Sequence, residues 1–208
     1  MARLGILTKV LPSYGKAARP LDLFEKSFPE IFALRIHKGF GDWWLVGYFN
    51  WDEGANVIRE FPLQRLGLDP RKTYLIYEFW SQRLLAEVNR AVSLAWEPSS
   101  VNLLAIHEKR GVPQVLGTDR HYTQGAVELE DVRWDAEART LSGVGLGVPG
   151  TTWRLAIYTP EGYNWGSRKV EYFRDYGNFS LISYEENILR LALDFGETGR
   201  VSWSVNFS

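Results

Sequence analysis

The stretch GTDRHYTQG, residues 117–125, gathers Asp119, Arg120, His121, Tyr122, Thr123 and Gln124 between two glycines. Chemically, His121 offers a general base and Asp119 a carboxylate that could orient its imidazole. No nucleophile with a positioned third group accompanies them. Residues two apart in a turn need not face one another, and short polar side chains between glycines also satisfy the backbone of a turn. The stretch therefore reads as an ordered, polar connection between two β units, with Asp119, Arg120 and His121 as candidate binding residues.

Three other stretches carry residue types suited to chemistry. In GAVELEDVRW a strand would set Glu128 and Glu130 on one face, with Cβ atoms ~7 Å apart, inside the range glycosidases use for an acid and a base. The same spacing is the polar half of a strand with one wet face, Val127 and Leu129 turning to the core. PEGYNWGSRK offers Tyr163 and Trp165 beside Asn164 and Arg168, a set that can stack on a sugar ring and hydrogen-bond its hydroxyls. Gly143, Gly145 and Gly147 in LSGVGLGVPG lack the following helix that a phosphate loop requires, so they read as a strand end and a turn. His37 and His107 each close an apolar run, and no HxxH or HxH spacing suggests a metal. No cofactor is expected.

The elements that must position these residues read as strands. The chain has 208 residues, 45% hydrophobic and 24% charged, the balance of an ordinary globular protein. Its 9 Trp, 10 Tyr and 11 Phe favour strands. Runs of four to eight apolar residues begin at Ile31: IFALRIH, WWLVGYFNW, ANVIREFP, TYLIYEFW, LLAEV, AVSLAW and VNLLAIHE. TYLIYEFW is apolar on both faces and should be covered on both. After KRGVP a second series runs from QVLGT through GAVELEDVRW, ARTLSGVGL, TWRLAIYTP, RKVEYFRDY, NFSLISYEE and NILRLALDF to RVSWSVNF. The expectation is an all-β chain: an irregular lead-in over 1–29, a first antiparallel β-sandwich over 30–110 and a second over 111–208. Pro12, Pro20 and Pro29 interrupt the lead-in, leaving LDLFEKSF as its one short helix.

Composition also narrows the partners. A formal charge of −1 supplies no field for nucleic acid or anionic lipid. Zero cysteines exclude disulfides, thiolate metal sites and a cysteine nucleophile. With no long apolar stretch at its start or elsewhere, the chain is expected to be cytoplasmic and to engage no membrane. Self-association is compatible with this composition.

The run WWLVGYFNWDEGANVIREFPLQRLGLDPRKTYLIYEFWSQRLL carries Phe49-Asn50-Trp51, Leu66-Gly67-Leu68 and Phe79-Trp80-Ser81 at the ends and turns of its strands. In these motifs it resembles the β-domain that follows the catalytic barrel in α-galactosidase-like glycoside hydrolases. PQVLGTDRHYTQGAVELEDVRWD and YTPEGY are similar to an extended C-terminal portion of some bacterial members, and LPSYGKAARPLDLFE to the stretch that links barrel and β-domain. The resemblance implies a non-catalytic accessory domain, because the family's catalytic aspartates sit on a (β/α)₈ barrel for which this chain has no pattern. It implies a barrel-type glycosidase or a carbohydrate as partner. Two other readings stay open: a hydrolase in its own right using Glu128, Glu130 and His121, and a lectin-like module using Tyr163 and Trp165.

Overall fold

A computed structural model describes residues 2–164 and 178–208, and these are all-β, arranged in antiparallel sheets. The expected strand RKVEYFRDY lies outside the described residues. Two compact units form. One comprises Gly15–His37 and Gly41–Lys109, the other Met1–Tyr14, Lys38–Phe40 and Arg110–Ser208.

The first of these units holds β1 (Arg19–Pro20), β2 (Ile31–Lys38), β3 (Gly41–Asn50), β4 (Val57–Pro62), β5 (Tyr74–Glu78), β6 (Arg83–Val88), β7 (Ala91–Trp96) and β8 (Ser100–Glu108). A six-stranded sheet runs β1-β2-β3-β8-β5-β6, and β4 pairs with β7 in a separate ribbon. Between them lies a core that includes Val46, Tyr48, Ile76 and Ile106 from the sheet and Phe61, Val92 and Trp96 from the ribbon. All five residues of β5 are buried, as its two apolar faces require. His107 is buried in β8 and stacks on Trp43 at 5.6 Å, whereas His37 is exposed and bonded to Asp42.

LDLFEKSF does not form the expected helix. One turn closes, with the amides of Glu25 and Lys26 donating to the carbonyl of Asp22. It goes no further, because the Asp22 carboxylate instead accepts from the amides of Glu30 (2.9 Å) and Ile31 (3.2 Å) and ties the segment to the start of β2. Nor is the lead-in irregular throughout: Arg19 and Pro20 pair with Ala33 and Phe32, and residues Ala2–Val10 are helical (α1).

Among its described residues the other unit contains α1 and seven strands: β9 (Gln114–Thr118), β10 (Leu129–Asp135), β11 (Thr140–Leu146), β12 (Thr152–Tyr158), β13 (Asn178–Glu185), β14 (Ile188–Asp194) and β15 (Arg200–Asn206). The sheets β10-β11-β15 and β13-β14-β12-β9 enclose a core with Leu141, Trp153, Leu155, Leu191, Phe195, Trp203 and Val205. Gly143 and Gly145 lie within β11 and Gly147 just beyond its end, ahead of the turn at 149–150. Their spacing of two aims the missing side chains at one face, where aromatic rings lie flat against the backbone. A Cβ on Gly145 would meet Leu193 at 2.8 Å and Trp153 at 3.0 Å, and one on Gly147 would meet the Phe195 ring at 2.5 Å.

Among the described residues no helix is long and apolar enough to cross a membrane. Gly145→Ala and Gly147→Ala are expected to destabilise this unit by about 1–3 kcal/mol each through overpacking, read as a lowered midpoint in urea with an unchanged slope.

Candidate functional site

The polar stretch 117–125 joins β9 to β10 inside one unit and is not the connection between the two units. The strand of β10 starts only at Leu129, so Glu128 belongs to the turn that precedes it. The turn exists because the Glu128 carboxylate is inside it. One oxygen accepts from the Thr118 hydroxyl and from the amide of Gly125 at 3.0 Å, and the other from the amide of Val127 at 3.2 Å. The side chain is buried, and burial pushes its carboxyl above the usual carboxylate range against the opposing pull of these bonds. Glu130 is exposed and paired with Arg200 at 2.9 Å. The two glutamates therefore occupy unlike environments instead of sharing the wet face of one strand.

Asp119 is not directed at His121. Its carboxylate accepts from the amide of Arg154 at 2.7 Å and its own amide donates to the Arg154 carbonyl at 3.1 Å, which extends the β9–β12 pairing by one residue. His121 is buried with both ring nitrogens engaged: Nε2 lies 2.9 Å from the Pro12 carbonyl and Nδ1 lies 2.7 Å from the Thr123 hydroxyl. A carbonyl can only accept, so Nε2 carries the proton. Nδ1 is then the acceptor for the Thr123 amide at 3.3 Å. Burial, ahead of all other causes, lowers the imidazole's pKa, in keeping with a neutral ring.

These bonds converge on the end of α1. The last four carbonyls of a helix have no partner within it. Here the Arg120 guanidinium donates to the carbonyl of Thr8 and the Tyr122 amide to that of Lys9 at 2.9 Å, while His121 donates to that of Pro12, two residues past the helix. Lys9 returns a bond from its ammonium group to the carbonyl of Asp119. The cation of Arg120 also stands at the negative end of the helix dipole. The loop is thus a socket that caps α1 from 110 residues away in sequence.

The helix so held turns apolar side chains outward. Ile6 and Leu7 are each 53% exposed, Val10 39% and Leu11 57%. Leu11 and Pro12 continue into a cleft of about 280 Å³ that Val127, Leu146 and the exposed Val148 also line, with His121 and Glu128 at its polar side. Gln124 stands in the left-handed region at φ 54°, and among the described residues neither polar atom of its buried amide has a hydrogen-bond partner. Nothing in the composition of ARLGILTKV marked this surface, since its register on the β unit is set by the loop.

Tyr163 is half-buried, packed on the core and edge-on to Trp134, with the Arg139 guanidinium 4.5 Å above its ring. It covers a core edge and does not stand out as a platform for a sugar ring. Trp165 and Arg168 lie outside the described residues. Among the described residues no group of three or more His, Cys, Asp or Glu is placed to hold a metal ion.

No family model matches the chain, and no curated protein or solved structure matches it either.

The socket should respond to pH from both sides. The lowered pKa of His121 means it contributes stability that is present above 6.5 and lost as the pH falls through its folded value. The raised pKa of Glu128 means its contribution is complete below 4.5 and declines as the pH rises through the folded value. Hydrogen exchange is therefore expected to show the amides of α1 losing protection on acidification below pH 6.5 while β12 and β14 stay protected. His121→Ala should produce that exchange pattern at neutral pH.

Proposed function

We propose that this chain is a non-catalytic accessory β-domain that packs against a catalytic barrel of the α-galactosidase-like glycoside hydrolase type. The observation that carries this reading is the outward apolar face of α1, with Leu11 and Val148 beside it. A cluster of exposed aliphatic side chains on a rigid support is the signature of a surface that another protein covers. The support is rigid because the capping bonds of Arg120, His121 and Tyr122 fix the helix before any partner arrives, which lowers the entropy lost on docking. The identity of the partner rests on the resemblance of Phe49-Asn50-Trp51, Leu66-Gly67-Leu68 and Phe79-Trp80-Ser81 to that family's β-domain.

Arg120 and His121 are engaged in holding the helix and the residues just after it, while Asp119 and Glu128 hold the loop itself. His121 has no nitrogen to spare for a substrate, and Glu128 accepts three internal bonds. A holding role at the end of α1 accounts for Arg120 and His121 in residues 117–125, and the pairing with Arg154 accounts for Asp119.

The test is to mix the purified chain with a catalytic barrel from an α-galactosidase-like hydrolase stripped of its own β-domain. A complex is expected by analytical ultracentrifugation, and Ile6→Glu with Leu7→Glu should weaken it by about tenfold or more, since central apolar contacts dominate such interfaces. The chain alone should leave p-nitrophenyl α-galactoside unhydrolysed. Turnover by the chain alone that disappears in Glu128→Gln would instead establish it as a hydrolase.

A further inference from the structure

Trp51 stands in the unit formed by Gly15–His37 and Gly41–Lys109, and its surroundings do not belong to the α1 socket. The indole N–H donates to the Pro29 carbonyl at 2.9 Å. One ring face stacks on Phe49 at 4.9 Å and 11°, and Phe49 in turn meets Phe32 edge-on at 5.5 Å. The side chain is nevertheless 54% exposed. With one edge tied by a hydrogen bond and one face stacked, the ring is fixed in orientation while about half of the residue stays exposed.

The backbone beneath the ring is equally fixed. The Asn50 amide, itself buried, donates to the carbonyls of Ala55 at 3.0 Å and Glu97 at 2.9 Å and accepts from the amide of Asp52 at 3.1 Å. One oxygen of Asp52 accepts from the amides of Gly54 and Ala55, at 2.8 and 3.0 Å. The other oxygen of Asp52 and the whole carboxylate of Glu53 make no bond among the described residues. Phe28, 74% exposed, precedes the Pro29 carbonyl that anchors the indole.

We infer that Trp51 is a stacking platform for a neutral hexopyranose, with Asp52 and Glu53 accepting hydroxyl hydrogen bonds at its rim. The C–H face of a pyranose matches a flat indole in area and polarity, and hydroxyl groups are the donors that unpaired carboxylates seek. Coverage by an apolar protein pocket would strand the Glu53 charge away from water, which is costly. Uronic acids, phosphates and anionic lipid headgroups would be repelled by the same two carboxylates. This site is independent of α1, so it does not depend on docking to a barrel.

The experiment follows the indole N–H resonance of Trp51 in the full chain, assigned by its loss in Trp51→Phe. The titrants are raffinose, cellotetraose and mannotetraose, with trigalacturonic acid as the charged control. A saturable shift with at least one neutral sugar is expected, at a dissociation constant on the order of 1 mM for a single exposed platform. Trigalacturonic acid should leave the resonance in place. Trp51→Ala should weaken binding by about tenfold or more. Glu53→Gln, an exposed change, should weaken it by about threefold while leaving the melting temperature unchanged. Ile6→Glu with Leu7→Glu should leave sugar binding intact. Absence of a shift with every neutral sugar, an equal shift with trigalacturonic acid, or full affinity in Trp51→Ala would overturn the assignment.

Discussion

A helix that ends against protein instead of water must find partners for its final carbonyls, and in this chain that requirement organises the unit built on Arg110–Ser208. The carbonyls of Thr8 and Lys9 are met by Arg120 and Tyr122, and that of Pro12, two residues past the helix, by His121. For those three groups to reach them, the segment between β9 and β10 must turn back on itself within the β unit. The turn is possible because Glu128 supplies a buried acceptor to the amides of Gly125 and Val127. A carboxylate is suited to that position: it accepts several bonds at once, and bonds to a charged acceptor are about twice as strong as neutral ones. The cost is desolvation, visible as the upward displacement of its pKa.

The same unit resolves a conflict between aromatic bulk and sheet spacing. Trp153, Phe195 and Trp203 are all buried between its two sheets, and rings of that size exceed the room left by ordinary side chains at every facing position. Glycine at 143, 145 and 147 removes the obstacle on one strand, so the rings lie against bare backbone. The extra conformational freedom that glycine gives the unfolded chain, and that folding removes, is offset by the aromatic area buried. Where no such partner is available, aromatic side chains remain outside. Trp51 is held from behind by Phe49 and Pro29 and left open in front, and such a surface is suited to contact with something other than this chain.

Reading residues locally succeeded where a residue's role follows from its immediate neighbours. The apolar content on both faces of TYLIYEFW anticipated β5 with every residue buried, because apolar side chains on both faces call for cover on both; the one charged residue, Glu78, is buried with its carboxylate accepting from the amides of Ser81 and Leu103. Alternation along NILRLALDF likewise matches β14, in which Leu189, Leu191 and Leu193 are buried. Local reading failed for Glu128. Period-two logic assigned it to solvent beside Glu130, but the strand begins one residue later and Thr118 together with the turn's own amides captures the carboxylate. It failed again for LDLFEKSF, where a helical pattern lost to the competing acceptor of Asp22.

The sequence by itself determined the all-β class, the order of its strands and the residues available for the cores, since these depend on side-chain period and β-branched or aromatic content over a few neighbouring positions. Tertiary structure alone decided which polar groups are buried, which glycines face rings and where α1 lies. Each of those outcomes needs a partner distant along the chain: Lys9 with Asp119, Gly147 with Phe195, Arg154 with Asp119. A hydrogen bond or a ring contact acts over a few ångströms in space, and separation in sequence carries no record of which residues folding will bring that close.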